Sequence, residues 1–134
     1  MTDIDEFGRS PLHYAALEND LSLAGERIAA GDDPNLGDTH GFTPLHFAAQ
    51  EGALDVARLL LASGADVDPL DVHGNTPLMA AVFNSRGRGD LIELLRASGS
   101  DPLRPNNSRQ TPVGLARLIA NFDVAQFFED VPGQ

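Results

Sequence analysis

One tetrapeptide occurs four times in this chain. It reads Ser10-Pro11-Leu12-His13, Thr43-Pro44-Leu45-His46, Thr76-Pro77-Leu78-Met79 and Thr111-Pro112-Val113-Gly114, at steps of 33, 33 and 35 residues. A fixed period of this size marks a stacked-repeat protein. One such unit cannot enclose its own apolar face, so consecutive units must cover one another.

The second unit shows how each copy folds. Thr43 is an N-cap residue whose hydroxyl accepts from an orphan helical N–H. Pro44 suits the first helical position, where no donor is needed. Leu45, Ala48 and Ala49 give a short helix with a small-residue face that a neighbour can approach closely. Gly52 and Ala53 break it, and Val56, Leu59 and Leu60 recur at helical spacing on a second helix, predicted to form core. Gly64 ends that helix in a left-handed conformation. Residues 65–75 are rich in Asp and Gly and read as an extended turn leading to the next cap.

These residues resemble the ankyrin repeat, over about Asp5 to Asp130. The resemblance implies an all-α solenoid of four helix-turn-helix units linked by β-hairpin-like loops. It forms a single domain over residues 1–134, with repeats at about 5–37, 38–70, 71–105 and 106–130. The spacing predicts helices near Pro11–Glu18, Leu21–Ala30, Pro44–Glu51, Leu54–Ala62, Pro77–Asn84, Asp90–Ala97, Pro112–Ala120 and Phe122–Glu129. The departures lie in the third unit and at the ends. Glu26 and Arg27 stand where Leu59 and Leu60 stand, as suits an end unit with one face in water. Two extra residues fall in Asn84-Ser85-Arg86-Gly87-Arg88-Gly89, a surface insertion expected to be mobile because of its glycines. Met79 and Gly114 replace the His of the tetrapeptide. In the last unit Asn106 replaces Asp and Arg109 replaces the turn Gly, leaving Asn106 or Asn107 to take a positive φ. Short ends on both sides fit a complete four-unit protein.

The formal charge is −11, which argues against a general nucleic-acid binder, since phosphate binding needs a positive surface. The charge is uneven. Residues 1–75 hold 14 acids and 3 arginines, and residues 76–134 hold 6 of each. Much of this serves solubility; it also makes an acidic face that attracts a basic partner. No apolar run approaches membrane-spanning length, the acidic start is unlike a signal peptide, and there is no cysteine for a disulfide or thiolate site. A cytoplasmic monomer with no membrane or nucleic-acid partner is the expectation.

No catalytic constellation emerges, and no cofactor or metal is expected. The resemblance gives His13 and His46 a structural role, bonding within the cap and bridging toward the next unit. His40 and His73 sit one repeat apart, roughly 8–10 Å if helices pack normally, poorly placed to share a metal at about 2 Å. The acids of Asp66-Val67-Asp68-Pro69-Leu70-Asp71 lack the glycine and terminal Glu of a calcium loop. There is no G-x-S-x-G elbow.

The resemblance also implies a concave face made of turn tips and first helices. Positions there that are free of repeat duty hold Glu6, Phe7, Arg9, Leu17 and Glu18; Thr39, His40, Phe42, Gln50 and Glu51; and Val72, His73, Asn75, Phe83 and Asn84. The last unit adds Asn107, Ser108, Gln110, Leu118 and Ile119. Phe7, Phe42 and Phe83 stand out, because aromatics among polar residues are what interfaces favour. Together they point to partner contact, which predicts that Phe42→Ala spares the fold. Leu118, Ile119, Phe127 and Phe128 make an apolar end, a partner or dimer surface unless Val131–Gln134 and local repacking cover most of it, which is the expectation. The chain therefore reads as a non-catalytic module binding another, basic, protein. Small acidic proteins of this family resemble bacterial immunity proteins that block secreted toxins, and the third-unit insertion and the ending 120–128 add to that likeness. A regulatory scaffold for a cellular enzyme or transcription factor is the alternative.

Overall fold

The computed structural model describes residues 4–119 and 122–132. The expected helical end at Ala120 and the last residues, 133–134, lie outside them. Among the described residues, seven α-helices and one 3₁₀ helix follow in pairs: α1 (Pro11–Glu18) with α2 (Leu21–Ala29), α3 (Pro44–Glu51) with α4 (Leu54–Ala62), α5 (Pro77–Phe83) with α6 (Asp90–Ala97), and α7 (Pro112–Leu118) with the 3₁₀ helix Val124–Phe128. The first helices pack in a row, α1 on α3 on α5 on α7. Behind them α2, α4 and α6 form a second row. No strand is present among the described residues.

Each first helix starts as its sequence dictates. Thr43, Thr76 and Thr111 accept from the backbone N–H three residues on, and a proline follows at the first helical position. The leucine or valine after it goes to the centre: Leu12, Leu45, Leu78 and Val113 are fully buried. Ala15, Ala16, Ala48, Ala49 and Ala81 let these helices approach closely, and all are buried. Gly64 does turn α4 off in the left-handed region, at φ 97°.

The turn tips are built alike. Asp5, Asp38, Asp71 and Asn106 each place one side-chain oxygen to accept two backbone amides, two and four residues on. Asn106 therefore does the work of Asp, because only one acceptor oxygen is needed. Successive tips are joined by one backbone amide each: Thr39 donates to the Phe7 carbonyl, Val72 to His40 and Asn107 to His73, each at 2.9 Å, and the last tip adds side-chain bonds from Asn106 to Asn75 and from Asn107 to the Val72 carbonyl.

The ends differ from expectation in informative ways. In the first unit Arg27 makes a two-point bond to the buried Asp32 carboxylate, so an ion pair closes the place where Leu60 fills unit two. In the last unit the expected α-helix is a 3₁₀ helix of 5 residues. Its buried side chains are Val124 and Phe128, and a segment this short gains little from α-helical cooperativity. It is held by Arg96, which donates to the Phe127 carbonyl and forks onto both oxygens of Asp130 at 2.7–2.8 Å. Arg117 holds the Val131 carbonyl. Phe128 is fully buried, Phe127 partly so, and Leu118 stays 71% exposed. The positive φ falls on Arg109, at 64°, not on Asn106 or Asn107.

The insertion is docked against the end of the chain. A side chain on Gly87 would meet the Phe122 ring at 3.0 Å, and one on Gly89 would overlap the Phe127 ring at 2.2 Å. Its glycines are explained by close approach to aromatics rather than by mobility. In α4, Val56 and Leu60 are fully buried while Leu59 is only partly so. Helical geometry turns Leu59 toward the rim, since one face of α4 meets the first-helix row and the other meets water.

Candidate partner-binding face

Two buried histidines tie the first helices to the turn tips. The Ser10 and Thr43 amides donate to Nδ1 of His13 and His46, at 3.0 and 3.1 Å. The proton must then sit on Nε2, which donates to the carbonyls of Phe42 and Asn75, at 2.9 and 2.8 Å. Each ring thus fixes its own cap and grips the tip of the following unit. Burial pushes both imidazoles below their ordinary pKa, against the opposing pull of those carbonyls.

This has a pH consequence. The unfolded chain binds protons on these rings near pH 6.5, while the folded chain resists until lower pH. Stability is therefore full above about pH 6.5 and falls as the pH drops through it. Carboxylates held low, such as Asp5 beneath the Tyr14 hydroxyl and Asp130 beneath Arg96, act only in the separate window below about pH 4. His46→Met copies what the third unit already carries. It lowers Tm at pH 8 but flattens the loss of Tm between pH 7.5 and 5, measured by thermal melts across pH. A slope as steep as wild type would show that His46 does not set it.

Residues 33 apart in successive units take equivalent places, so the ends of the first helices form two rows. One row runs Leu17, Gln50, Phe83; the other runs Glu18, Glu51, Asn84. Residues Leu118 and Ile119, 35 further on, extend them. Glu18, Gln50, Glu51 and Phe83 are exposed, Phe83 at 72%. Leu17 is half-buried against the core, and Asn84 is half-buried with its amide on the Ala80 carbonyl. The face thus passes from carboxylates at the first two units to hydrocarbon at the last two.

At the tips, Phe7 and Val72 are each 50% exposed, and Thr39, His40 and His73 are exposed. Three expected contact residues are engaged within the fold. Arg9 bonds the buried Asp38 carboxylate at 3.1 Å, and its guanidinium lies 4.9 Å from the Phe47 ring centre. Phe42 is half-buried, stacked on Phe47 at 5.5 Å and edge-on to His46 at 5.8 Å. It also packs against the core, so Phe42→Ala touches the fold as well as the surface. Asn75 is half-buried, with its side-chain oxygen accepting from Asn106. Phe42 and Asn75 both line a hollow.

That hollow is the feature the sequence reading missed. It has a volume of about 370 Å³. Phe42, Met79, Ala80, Phe83 and Leu115 give its apolar walls, and Asn75, Asn106 and Gln110 are among its polar rim. A second hollow of about 240 Å³ lies on the other side of Phe83 and Leu115, bounded also by Arg86, Ile119 and Phe122. The Phe83 ring forms the ridge between them. Met79 in place of His was the visible signal, but its meaning depends on Gln110 being across from it. Among the described residues no group of three or more His, Cys, Asp or Glu is arranged to hold a metal. No helix there is long and apolar enough to cross a membrane.

Stacked helical pairs with hydrogen-bonded tips and a buried histidine bridge define a helical repeat scaffold. The family profile for ankyrin repeats, in three copies, matches residues 12–106, and the chain belongs to the ankyrin-repeat family. Ankyrin repeats are in general protein–protein interaction modules, and the family is generally non-catalytic. A search of curated proteins finds no match.

Proposed function

We propose that this protein captures a basic protein on its concave face, without catalysis, as a monomer in the cytoplasm. The observation that carries this reading is the graded face itself. Exposed Glu18 and Glu51 lie at one end, exposed Phe83 and Leu118 at the other, on a chain of net charge −11. Opposite fields speed encounter, and apolar contact slows release. An acidic inhibitor of this kind suits a basic toxin, so the reading extends to an immunity protein that blocks one. A scaffold for cellular enzymes or transcription factors is the alternative.

Cross-linking in native lysate followed by mass spectrometry separates these. The expected result is one basic partner, encoded beside this protein's own gene, with cross-links confined to the tips and first helices. Several housekeeping partners on the same face would favour the scaffold. Cross-links on the second-helix side would overturn the concave-face reading. With the partner in hand, Glu18→Lys combined with Glu51→Lys slows association about tenfold at low salt and leaves Tm unchanged.

A further inference from the structure

We propose that Met79 converts a structural bridge into an anchor pocket, and that this pocket takes a large apolar side chain from a cationic polypeptide segment lying along the concave face. This rests on the basic-partner reading above and goes further by naming the subsite and the pattern it recognises.

Three observations converge. First, the two preceding units spend this position on a histidine whose ring spans to the next tip. The Met79 side chain has no N–H to donate and only a weak sulfur acceptor, so no such ring reaches the Gln110 tip. The space remains as a hollow of about 370 Å³ between Met79, Phe83, Leu115 and Phe42, with Gln110 at its rim. Second, the hollow is bordered by an aromatic that the fold does not require. Phe83 is 72% exposed, and the equivalent residue one unit earlier is the polar Gln50. A thioether floor beside an aromatic wall adapts to varied apolar side chains. Third, the charge is on one side. Glu51 and Glu18 lie one and two units away along the row that reaches the hollow at Asn84, beside the row of Phe83 and in the half of the chain that carries the whole negative excess.

The spacing gives the occupant's pattern. Neighbouring units are separated by about 10 Å, the usual distance between packed helices. An extended chain advances about 3.3 Å per residue. A segment anchored in the hollow therefore meets Glu51 about three residues away and Glu18 about six residues away. The occupant reads as an apolar anchor followed, or preceded, by Arg or Lys at those two offsets.

The probes are end-blocked Gly/Ser peptides carrying one phenylalanine and two arginines at offsets three and six, in both chain directions. Two control peptides replace the phenylalanine by serine or the arginines by glutamate. Binding is followed by amide chemical shifts of the isotope-labelled protein. The phenylalanine peptide in one direction should shift residues around Met79 and Phe83, and the serine control should bind about tenfold more weakly, as expected for one buried aromatic. Phe83→Ala should lose about tenfold in affinity at unchanged Tm, since that ring is exposed. Met79→His should also lose about tenfold while Tm stays level or rises, because the imidazole restores the bridge. Loss of binding together with equal or greater stability is not what a structural role produces.

Equal affinity for both variants, or shifts confined to the surroundings of Glu18 and Glu51, overturns the pocket and leaves the basic-partner reading intact. No shift with either cationic peptide overturns both. A doubled sedimenting mass that Phe83→Ala abolishes assigns the face to a second copy of this chain and also overturns the proposal.

Discussion

Leu60→Ala lowers the unfolding free energy by about 3–4 kcal/mol, read from urea or guanidinium titration. The side chain is fully buried in α4, the middle member of the second-helix row, with α2 on one side and α6 on the other. Truncation removes the transfer energy of its methyl groups and leaves a void that two helices border. Leu59→Ala costs less, about 1–2 kcal/mol, because that side chain is already partly in water. A Leu59 variant as damaging as the Leu60 one would show that α4 is rotated from the position described.

Gly41→Ala is the second large effect, a loss of about 3 kcal/mol. Two penalties add. Gly41 has φ 80°, a region that costs an L-residue about 1–2 kcal/mol. An added methyl would also lie 3.0 Å from the Asp71 Cα and 3.2 Å from the Leu70 carbonyl oxygen. These are backbone atoms of the adjoining turn and cannot swing aside, so overpacking adds about 1–3 kcal/mol. Arg109 tests the same argument with opposite sign. It occupies the matching place in the last tip at φ 64°, and its side chain is exposed. Arg109→Gly relieves the backbone strain and should raise stability by about 0.5–1 kcal/mol after the entropy lost to the freer unfolded chain. Thermal melts of both variants decide it. If Gly41→Ala is neutral, the tips are not in the contact described.

Much of this architecture can be read from local chemistry. Caps at Thr43, Thr76 and Thr111, prolines after them, and leucines at a period of 33 fix where helices begin and which side they bury. The limits show where contacts are long-range. Leu59 and Leu60 are neighbours in sequence, and only the position of the first-helix row decides which is core. Arg9 and Phe42 look free because their partners lie elsewhere: Asp38 in the next unit, and Phe47 on the helix that follows the tip. The glycines of the insertion look like hinges until Phe122 and Phe127 are placed beside them. The Met79 hollow is the clearest case. The missing histidine is plain in the sequence, but a missing side chain becomes a cavity only when the opposite wall does not move in. Here that wall is pinned, because the Asn107 amide holds the last tip to His73 and the Asn106 side chain holds it to Asn75.

The single amides that link one tip to the next have a consequence for how the molecule comes apart. Each layer is fastened to its neighbour by one main-chain bond and a few side-chain bonds at the turn and by packing behind it, and among the described residues no helix of the first layer packs on one of the last. Thermal fraying then proceeds from the outside inward, a layer at a time, and the central pair is the last to let go. A partner lying across several layers would act as a splint, tying together layers that do not touch one another.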